Sequence, residues 1–328
     1  MNPNWKQNLN LRKLIIPFIA LLFILSACSS QPKDTGSNGS GTAAPETPAT
    51  NDKDSASGTI TYQSENGPVE VPANPQRVIV LSTFAGDLIH LGVNMVGVDS
   101  WSKLNPAFAD KLKDAEEVSD ENLEKIIELN PDLIIGLSTI KNVDKLKEIA
   151  PTVTFTYGKV DYLTQHLEIG KLVNKEKEAQ AWIDDFKQRA EKAGEEIRAK
   201  IGEDATVSVI ESFEKQLYVY GNNWGRGTEI LYQAMKLKMP EKVKETALKE
   251  GYYAISTEVL PEFAGDYIIL SKFNDADTSF QQTDTYKQIP AVKNGRVFEA
   301  DGNRIYFNDA TTLEYQLEFI TEHFLGQK

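Results

Sequence analysis

Two stretches of this chain follow one pattern, and that repetition constrains the fold more than any other feature. Asn122–Ser138 (NLEKIIELNPDLIIGLS) and Ser256–Lys272 (STEVLPEFAGDYIILSK) each read as helix, turn, acidic residue, apolar strand and serine. A short run rich in Ile and Leu bounded by turn signals is a buried strand, and helices between such strands bring them parallel. The pattern extends outward from both stretches. In the first half Arg77–Leu81 (RVIVL), Val93–Val98, Asp132–Leu137 and Pro151–Thr156 read as strands. An amphipathic stretch capped by Ser82-Thr83 and ending at Gly92, then Asp120–Leu129 and Lys141–Ile149, read as the helices between them. In the second half Ala205–Ile210, Leu217–Tyr220 and Asp266–Leu270 are strands, with helices over Gly227–Met235 and Thr257–Phe263. The expected fold class is α/β: two Rossmann-like lobes, each a mostly parallel sheet with helices on both faces.

Thr164–Lys200 separates the halves and is nearly free of Gly and Pro. Trp182, Phe186, Ala190, Ala193, Ile197 and Ile201 recur at three- and four-residue spacing among Glu, Lys and Gln. A single rigid helix joining the lobes is expected here, since 25 residues at about 1.5 Å each span about 37 Å.

The single cysteine places the protein in the cell. Met1–Lys13 carries Lys6, Arg12 and Lys13 and no acidic residue, and Leu14–Leu25 is an apolar run of twelve. That run is shorter than the roughly 20 residues of a membrane span. Leu25-Ser26-Ala27-Cys28 then matches a lipobox, so residues 1–27 read as a lipoprotein signal peptide and Cys28 as the acylated first mature residue. Gln31–Ser57 contains no Val, Ile, Leu or aromatic residue and reads as a flexible tether reaching on the order of 30 Å. The expected division is signal 1–27, tether 28–58, first lobe 59–160, inter-lobe helix 161–200 and second lobe 201–328. The body would hang from the outer face of the cytoplasmic membrane.

Charge and chemistry narrow the function. The net charge of −13 excludes a nucleic-acid partner, and losing the signal's three cations takes the mature chain to near −16. One Cys and the scattered His90, His166 and His323 exclude a Cys-rich cluster and disfavour direct metal capture. There is no G-x-S-x-G elbow, phosphate loop or H-E-x-x-H, so no enzyme is expected. Two α/β lobes, a strut and an outer-surface anchor suggest an importer's solute receptor, with ligand held at the carboxyl ends of the strands.

Leu217–Thr228 (LYVYGNNWGRGT) is the most informative segment, because a strand runs into a loop presenting Trp224 and Arg226 before a helix begins. Trp224 offers an apolar plate with one donor, and Arg226 a planar fork suited to paired oxygens such as those of a hydroxamate. At most one of Tyr218 and Tyr220 is expected on the pocket side. In the first lobe, strand-end position picks out Thr83, Trp101, Ser138 and Tyr157, together with Phe84, Lys103 and Thr139. Phe84 fits helix packing equally well, and Trp101 fits either the pocket or the lobe surface.

The Tyr218–Gly227 stretch resembles the Y-x-x-G-x-x-W/F-G-R-G segment of ferrichrome-type, ferric-hydroxamate siderophore-binding lipoproteins of Gram-positive bacteria. Val71–Val78, Asn130–Ile135, Phe263–Ile268 and Ala291–Val297 resemble segments of the same family, and the likeness spans the body from about Thr59 onward. The resemblance implies a helical-backbone periplasmic-binding-protein fold that flexes little and a monomer serving an ABC transporter permease. It implies that Tyr218, Trp224 and Arg226 meet the ferric siderophore, and that Tyr306 is an aromatic pocket position. Iron would be held by the siderophore, with no cofactor or protein metal ligand. Here Ala310 stands where relatives often have Pro, with Arg304 nearby. The resemblance also implies permease docking through one acidic residue on each lobe, for which Glu116 and Glu258 fit, each expected just before or within the first turn of a helix that precedes a strand. Glu117 and Glu121 compete with Glu116. A haem, cobalamin or catecholate receptor is the alternative. A catecholate complex would want several basic residues in the cleft, and Lys103, Lys141, Arg226, Lys272 and Arg304 are on offer.

Overall fold

The structure, a computed structural model, describes residues 58–326; Cys28, with the expected signal and nearly all of the tether, lies outside the described residues. The body begins with an antiparallel hairpin, β1 (Thr59–Ser64) and β2 (Gly67–Pro72). Then follow β3 (Val78–Val80), α1 (Ala85–His90), β4 (Met95–Val98), α2 (Ser100–Leu104), β5 (Glu116–Glu117), α3 (Leu123–Glu128), β6 (Leu133–Leu137), α4 (Val143–Ile149) and β7 (Thr152–Phe155). These five strands form a parallel sheet in the order β5-β4-β3-β6-β7. The chain leaves β3 toward one edge and later fills the other from β6, so the sheet has a switch point between β3 and β6. Crevices in open α/β sheets form at such points.

The helical segment expected as one piece is two helices, α5 (Tyr162–Leu172) and α6 (Glu176–Ile201). Asn174 breaks it by adopting a left-handed φ of 57°. The Lys175 N–H donates to the Gly170 carbonyl and the Asn174 N–H to that of Lys171, which is a Schellman motif with Asn in the usual Gly position. α6 buries Ala179, Trp182, Ile183, Phe186, Ala190, Gly194 and Ile197, whereas Ala193 and Ile201 of the expected stripe stay half-buried. At 26 residues it spans about 39 Å.

The second lobe runs β8 (Val207–Phe213), β9 (Gln216–Tyr220), a π-helical turn (Glu229–Ala234), α7 (Glu241–Ala247), β10 (Tyr252–Ile255), α8 (Leu260–Phe263) and β11 (Tyr267–Lys272). It ends with α9 (Asp284–Gln288), α10 (Pro290–Lys293), β12 (Val297–Asp301), α11 (Gly302–Ile305) and α12 (Ala310–Leu325). Its sheet, β10-β9-β8-β11-β12, is mixed rather than mostly parallel, because β9 runs antiparallel to both β8 and β10. Only Glu214 and Lys215 join β8 to β9, and so short a link can connect antiparallel strands alone. The helix expected over Thr257–Phe263 is one turn, with Pro261 in the first helical positions where its missing N–H is harmless.

Each sheet carries a hydrophobic cluster on either face. The lobes are also joined through α12, which packs on α6 and on α1 of the first lobe. At that crossing the Asp87 carboxylate meets His166 Nδ1 at 2.8 Å and accepts from the Ala310 N–H at 3.0 Å. Asp309 caps α12 through the Thr312 N–H and is buried against Gly86, where a Cβ would stand 1.7 Å from its Oδ1. Burial first, and Asp87 second, raise the Asp309 carboxyl to about 7.

Candidate ligand cleft

The loops at the carboxyl ends of the strands bring aromatic side chains from both lobes together. Trp101 follows β4 and stacks on Tyr306, which follows β12 and α11, with ring centroids 5.0 Å apart and planes 12° apart. Phe213 and Phe273, at the ends of β8 and β11, meet each other at 5.3 Å and Trp101 at 6.1 and 6.4 Å. Tyr157, just beyond β7, meets Trp224 edge-on at 5.4 Å. Trp101 and Tyr157 of the first lobe therefore make aromatic contacts across to the second. Trp101 and Tyr157 keep 38% and 37% of their surface exposed, unlike core aromatics.

Arg226 sits at the floor of this cluster, and its loop has an unusual backbone. Gly225, Arg226 and Gly227 have φ of 69°, 57° and 83°, three consecutive left-handed residues. Glycine adopts that region freely, whereas Arg226 is held there at a cost typical of functional loops. Gly225 also has no room for a side chain, since a Cβ would lie 2.2 Å from the Tyr306 carbonyl oxygen. The turn packs the loop on the Tyr306 backbone and places the guanidinium 3.9 Å from the Tyr306 ring centroid and 4.7 Å from that of Tyr220.

The guanidinium is not a free fork. Nε and Nη2 donate to the two oxygens of Glu211, each at 3.0 Å, and Nη1 donates to the Trp224 carbonyl at 3.0 Å. Arg226 is 6% exposed and Glu211 1%. Burial disfavours the charge on Arg226, but the Glu211 carboxylate and its hydrogen bonds, with Tyr220 and Tyr306, together outweigh it and hold the proton more firmly than usual. Three of the five N–H donors are thus engaged and two remain.

A second carboxylate, Glu229, lies buried beneath the loop. It accepts from the Gly225 N–H at 3.0 Å, Asn308 Nδ2 at 2.9 Å and Thr228 Oγ1 at 2.9 Å, and burial raises its proton affinity.

The sequence-picked residues divide. Trp101, Tyr157, Trp224, Arg226 and Tyr306 converge. Tyr218 is half-buried and reaches Trp224 through Tyr252, at centroid distances of 6.0 and then 5.2 Å. Tyr218 and Tyr220 both pack against the same cluster, correcting the expectation that only one could face the pocket side; residues two apart in a strand share a face. Thr83 lines a cavity of about 20 Å³ with Phe84, Tyr157, Asn223 and Asn308. Ser138 is exposed and accepts from the Thr156 hydroxyl at 3.2 Å, at the rim rather than in the aromatic cluster. Glu116 lies on the two-residue edge strand β5, not at a helix start, and is 3.6 Å from Lys125. Glu258 is exposed ahead of α8.

Glu211, Phe213, Tyr252 and Phe273 were missed. A lone acid inside the apolar strand VSVIESF is the signal that could have found Glu211, and strand-end position the signal for Phe213 and Phe273. A concavity of about 670 Å³ is a groove lined by Arg189, Lys192, Arg304, Glu314 and Tyr315 that includes no residue of the aromatic cluster. Among the described residues no group of three or more His, Cys, Asp or Glu could hold a metal ion, and no helix is long and apolar enough to cross a membrane.

Residues 78–303 match a family described as periplasmic binding protein. The chain is 37% identical over 320 residues to the iron(3+)-hydroxamate-binding protein FhuD of Bacillus subtilis (strain 168), spanning 95% of this chain and 97% of that one. It is 36% identical over 321 residues to the iron(3+)-hydroxamate-binding protein YxeB of the same organism, spanning 94% and 95%. Among solved structures, FhuD2 from Staphylococcus aureus with bound ferrioxamine B matches with a TM-score of 0.73 at 36% identity, spanning 77% of this chain and 99% of that chain.

Proposed function

The chain belongs to the periplasmic binding protein family, and from that premise we infer that it captures iron(III)–hydroxamate siderophores outside the cytoplasm and delivers them to an ABC permease. It is a binding protein and not an enzyme. The observation that carries the ligand class is the cleft itself: aromatic plates from both lobes over a buried arginine with two uncommitted donors. A ferric hydroxamate complex presents paired oxygens around the metal and an apolar organic body, which suits donors below and rings at the sides. Trp101, Tyr157, Trp224 and Tyr306 would pack on that body and Arg226 would donate to hydroxamate oxygens. Thr83, Ser138 and Tyr218 would stand at the margins. Iron stays coordinated by the siderophore throughout.

The remaining assignments extend this reading. Residues 1–27 direct export, Cys28 carries the lipid, residues 28–58 tether a monomeric body, and Glu116 and Glu258 dock the lobes on the permease. Supporting them are the Leu25–Cys28 motif after an apolar run and the exposure of both glutamates. The test is uptake of radioactive iron as ferrioxamine B by cells with and without this chain. Uptake should need the chain, fall with Cys28→Ala, and fall with Glu116→Ala/Glu258→Ala while binding persists. Full uptake in cells lacking the chain and every other hydroxamate receptor would refute the assignment.

A further inference from the structure

The buried carboxylate of Glu211 is more than a structural partner of Arg226. It lies on β8 directly opposite Ser271 of β11, at the switch point of the second sheet. Four donors converge on it: Arg226 Nε and Ser271 Oγ on Oε2 at 3.0 and 2.8 Å, and Arg226 Nη2 and the Tyr220 hydroxyl on Oε1 at 3.0 and 2.6 Å. Both oxygens are saturated, so the carboxylate has nothing left to offer a ligand except its charge. That charge cancels the Arg226 cation at the cleft floor.

Among the described residues none of the other basic side chains near the strand ends is buried at the floor with Arg226: Lys159 pairs with Glu65 at 3.1 Å, and Lys215 is exposed in the β8–β9 link. Lys103 donates to the Leu112 carbonyl at 2.6 Å. Lys141 pairs with Glu121 on the surface, and Lys272 with Glu299 at 3.0 Å. Arg304 lies over the Tyr315 ring, 4.0 Å from its centroid, in the groove that excludes the aromatic cluster. Glu229 beneath the Arg226 loop adds a further acid. A polyanionic iron complex entering the cleft would lose hydration and find the buried guanidinium of Arg226 already compensated, whereas a neutral or singly positive complex meets no such penalty.

We propose that Glu211 sets the charge specificity of the cleft, compensating Arg226 so that the site admits iron complexes of zero or single positive charge and turns away polyanionic ones. This rests on reading the Arg226 loop as the floor of the ligand site. It makes Glu211 a specificity residue acting through Arg226, and it accounts for a buried ion pair where a neutral hydrogen-bonding pair would fill the same space.

The test is fluorescence titration of the purified full chain with three probes: ferrioxamine B (one positive charge), ferrichrome (neutral) and ferric dicitrate (anionic). The natural chain should bind the first two and respond weakly to the third. Glu211→Gln keeps the size and one accepting oxygen, puts a donating amide in place of the other, and leaves Arg226 uncompensated. It should shift the affinity ratio toward ferric dicitrate by about tenfold or more, and added salt should weaken the shift. Glu211→Gln/Arg226→Gln, neutral again, should return the ratio toward that of the natural chain. A structural role alone predicts no such return. Arg226→Gln, with Glu211 left uncompensated, should shift the ratio the opposite way and supplies the test should Glu211→Gln fail to fold. An unchanged ratio in a folded single variant would overturn the proposal. Failure of the natural chain to bind either hydroxamate would instead overturn the ligand class, and is seen before any substitution is made.

Discussion

Replacing Arg226 with Ala should damage the fold as well as binding. The guanidinium and Glu211 are both buried and share two hydrogen bonds of 3.0 Å. Removing one partner of a buried ion pair costs about 3–5 kcal/mol, because the other charge is stranded. Contact with the Tyr220 and Tyr306 rings overlaps this figure, so about 4 kcal/mol is expected in total. Natural proteins hold about 5–15 kcal/mol. With a slope of about 3 kcal/mol per M, the urea midpoint should fall by roughly 1 M. Adding Glu211→Gln to Arg226→Ala should recover most of the loss. The assay is urea unfolding followed by circular dichroism at pH 7.5. An Arg226→Ala midpoint equal to the natural one would refute the account of the pair. So would a double variant no more stable than the single.

Three further outcomes are expected. Gly225→Ala should abolish ferrioxamine B binding and cost well over 1 kcal/mol, because it adds a 2.2 Å backbone contact to the left-handed penalty of about 1–2 kcal/mol; Gly295→Ala, also left-handed but with nothing within 4 Å, should pay that penalty alone and bind normally. Asp309 has its folded-state carboxyl raised to about 7 from an ordinary 3.8, so its contribution to stability falls as pH rises from about 4 to about 7; Asp309→Asn, which retains an N-capping group beside Asp87 and His166, should flatten that part of a thermal-melting profile against pH. Trp101→Ala should weaken ferrioxamine B binding by up to about tenfold, the scale of a lost aromatic stack, and leave the melting temperature within a few degrees because the side chain lies at the cleft surface and not in a core; unchanged affinity would remove Trp101 from the cleft.

The α/β architecture was legible because buried strands announce themselves: RVIVL, DLIIGL and DYIIL became β3, β6 and β11 within a residue or two of each end. Strand direction and helix breaks were harder. β9 turned back because the Glu214-Lys215 link is too short for a crossover, a signal carried by spacing rather than by residue type. The break at Asn174 depended on one residue taking a left-handed turn that Gly more often takes. In the cleft, Trp224 and Arg226 stood out because Gly-Arg-Gly after a strand marks a tight loop. Their environment did not. Glu211 lies fifteen residues from Arg226 along the chain, and only the antiparallel turn of β9 brings them together. The sequence therefore presented Arg226 as a free cation, whereas the fold makes it half of a neutral pair.

The central claim is that this cleft binds ferric hydroxamates, and one titration tests it most directly. Ferrioxamine B added to the purified chain should quench tryptophan fluorescence saturably, with a Kd between about nanomolar and micromolar, since Trp101 and Trp224 both line the cleft. Iron-free ligand should do so far less. Absence of saturable quenching by ferrioxamine B and ferrichrome, alongside tight binding of haem or a ferric catecholate, would contradict the account.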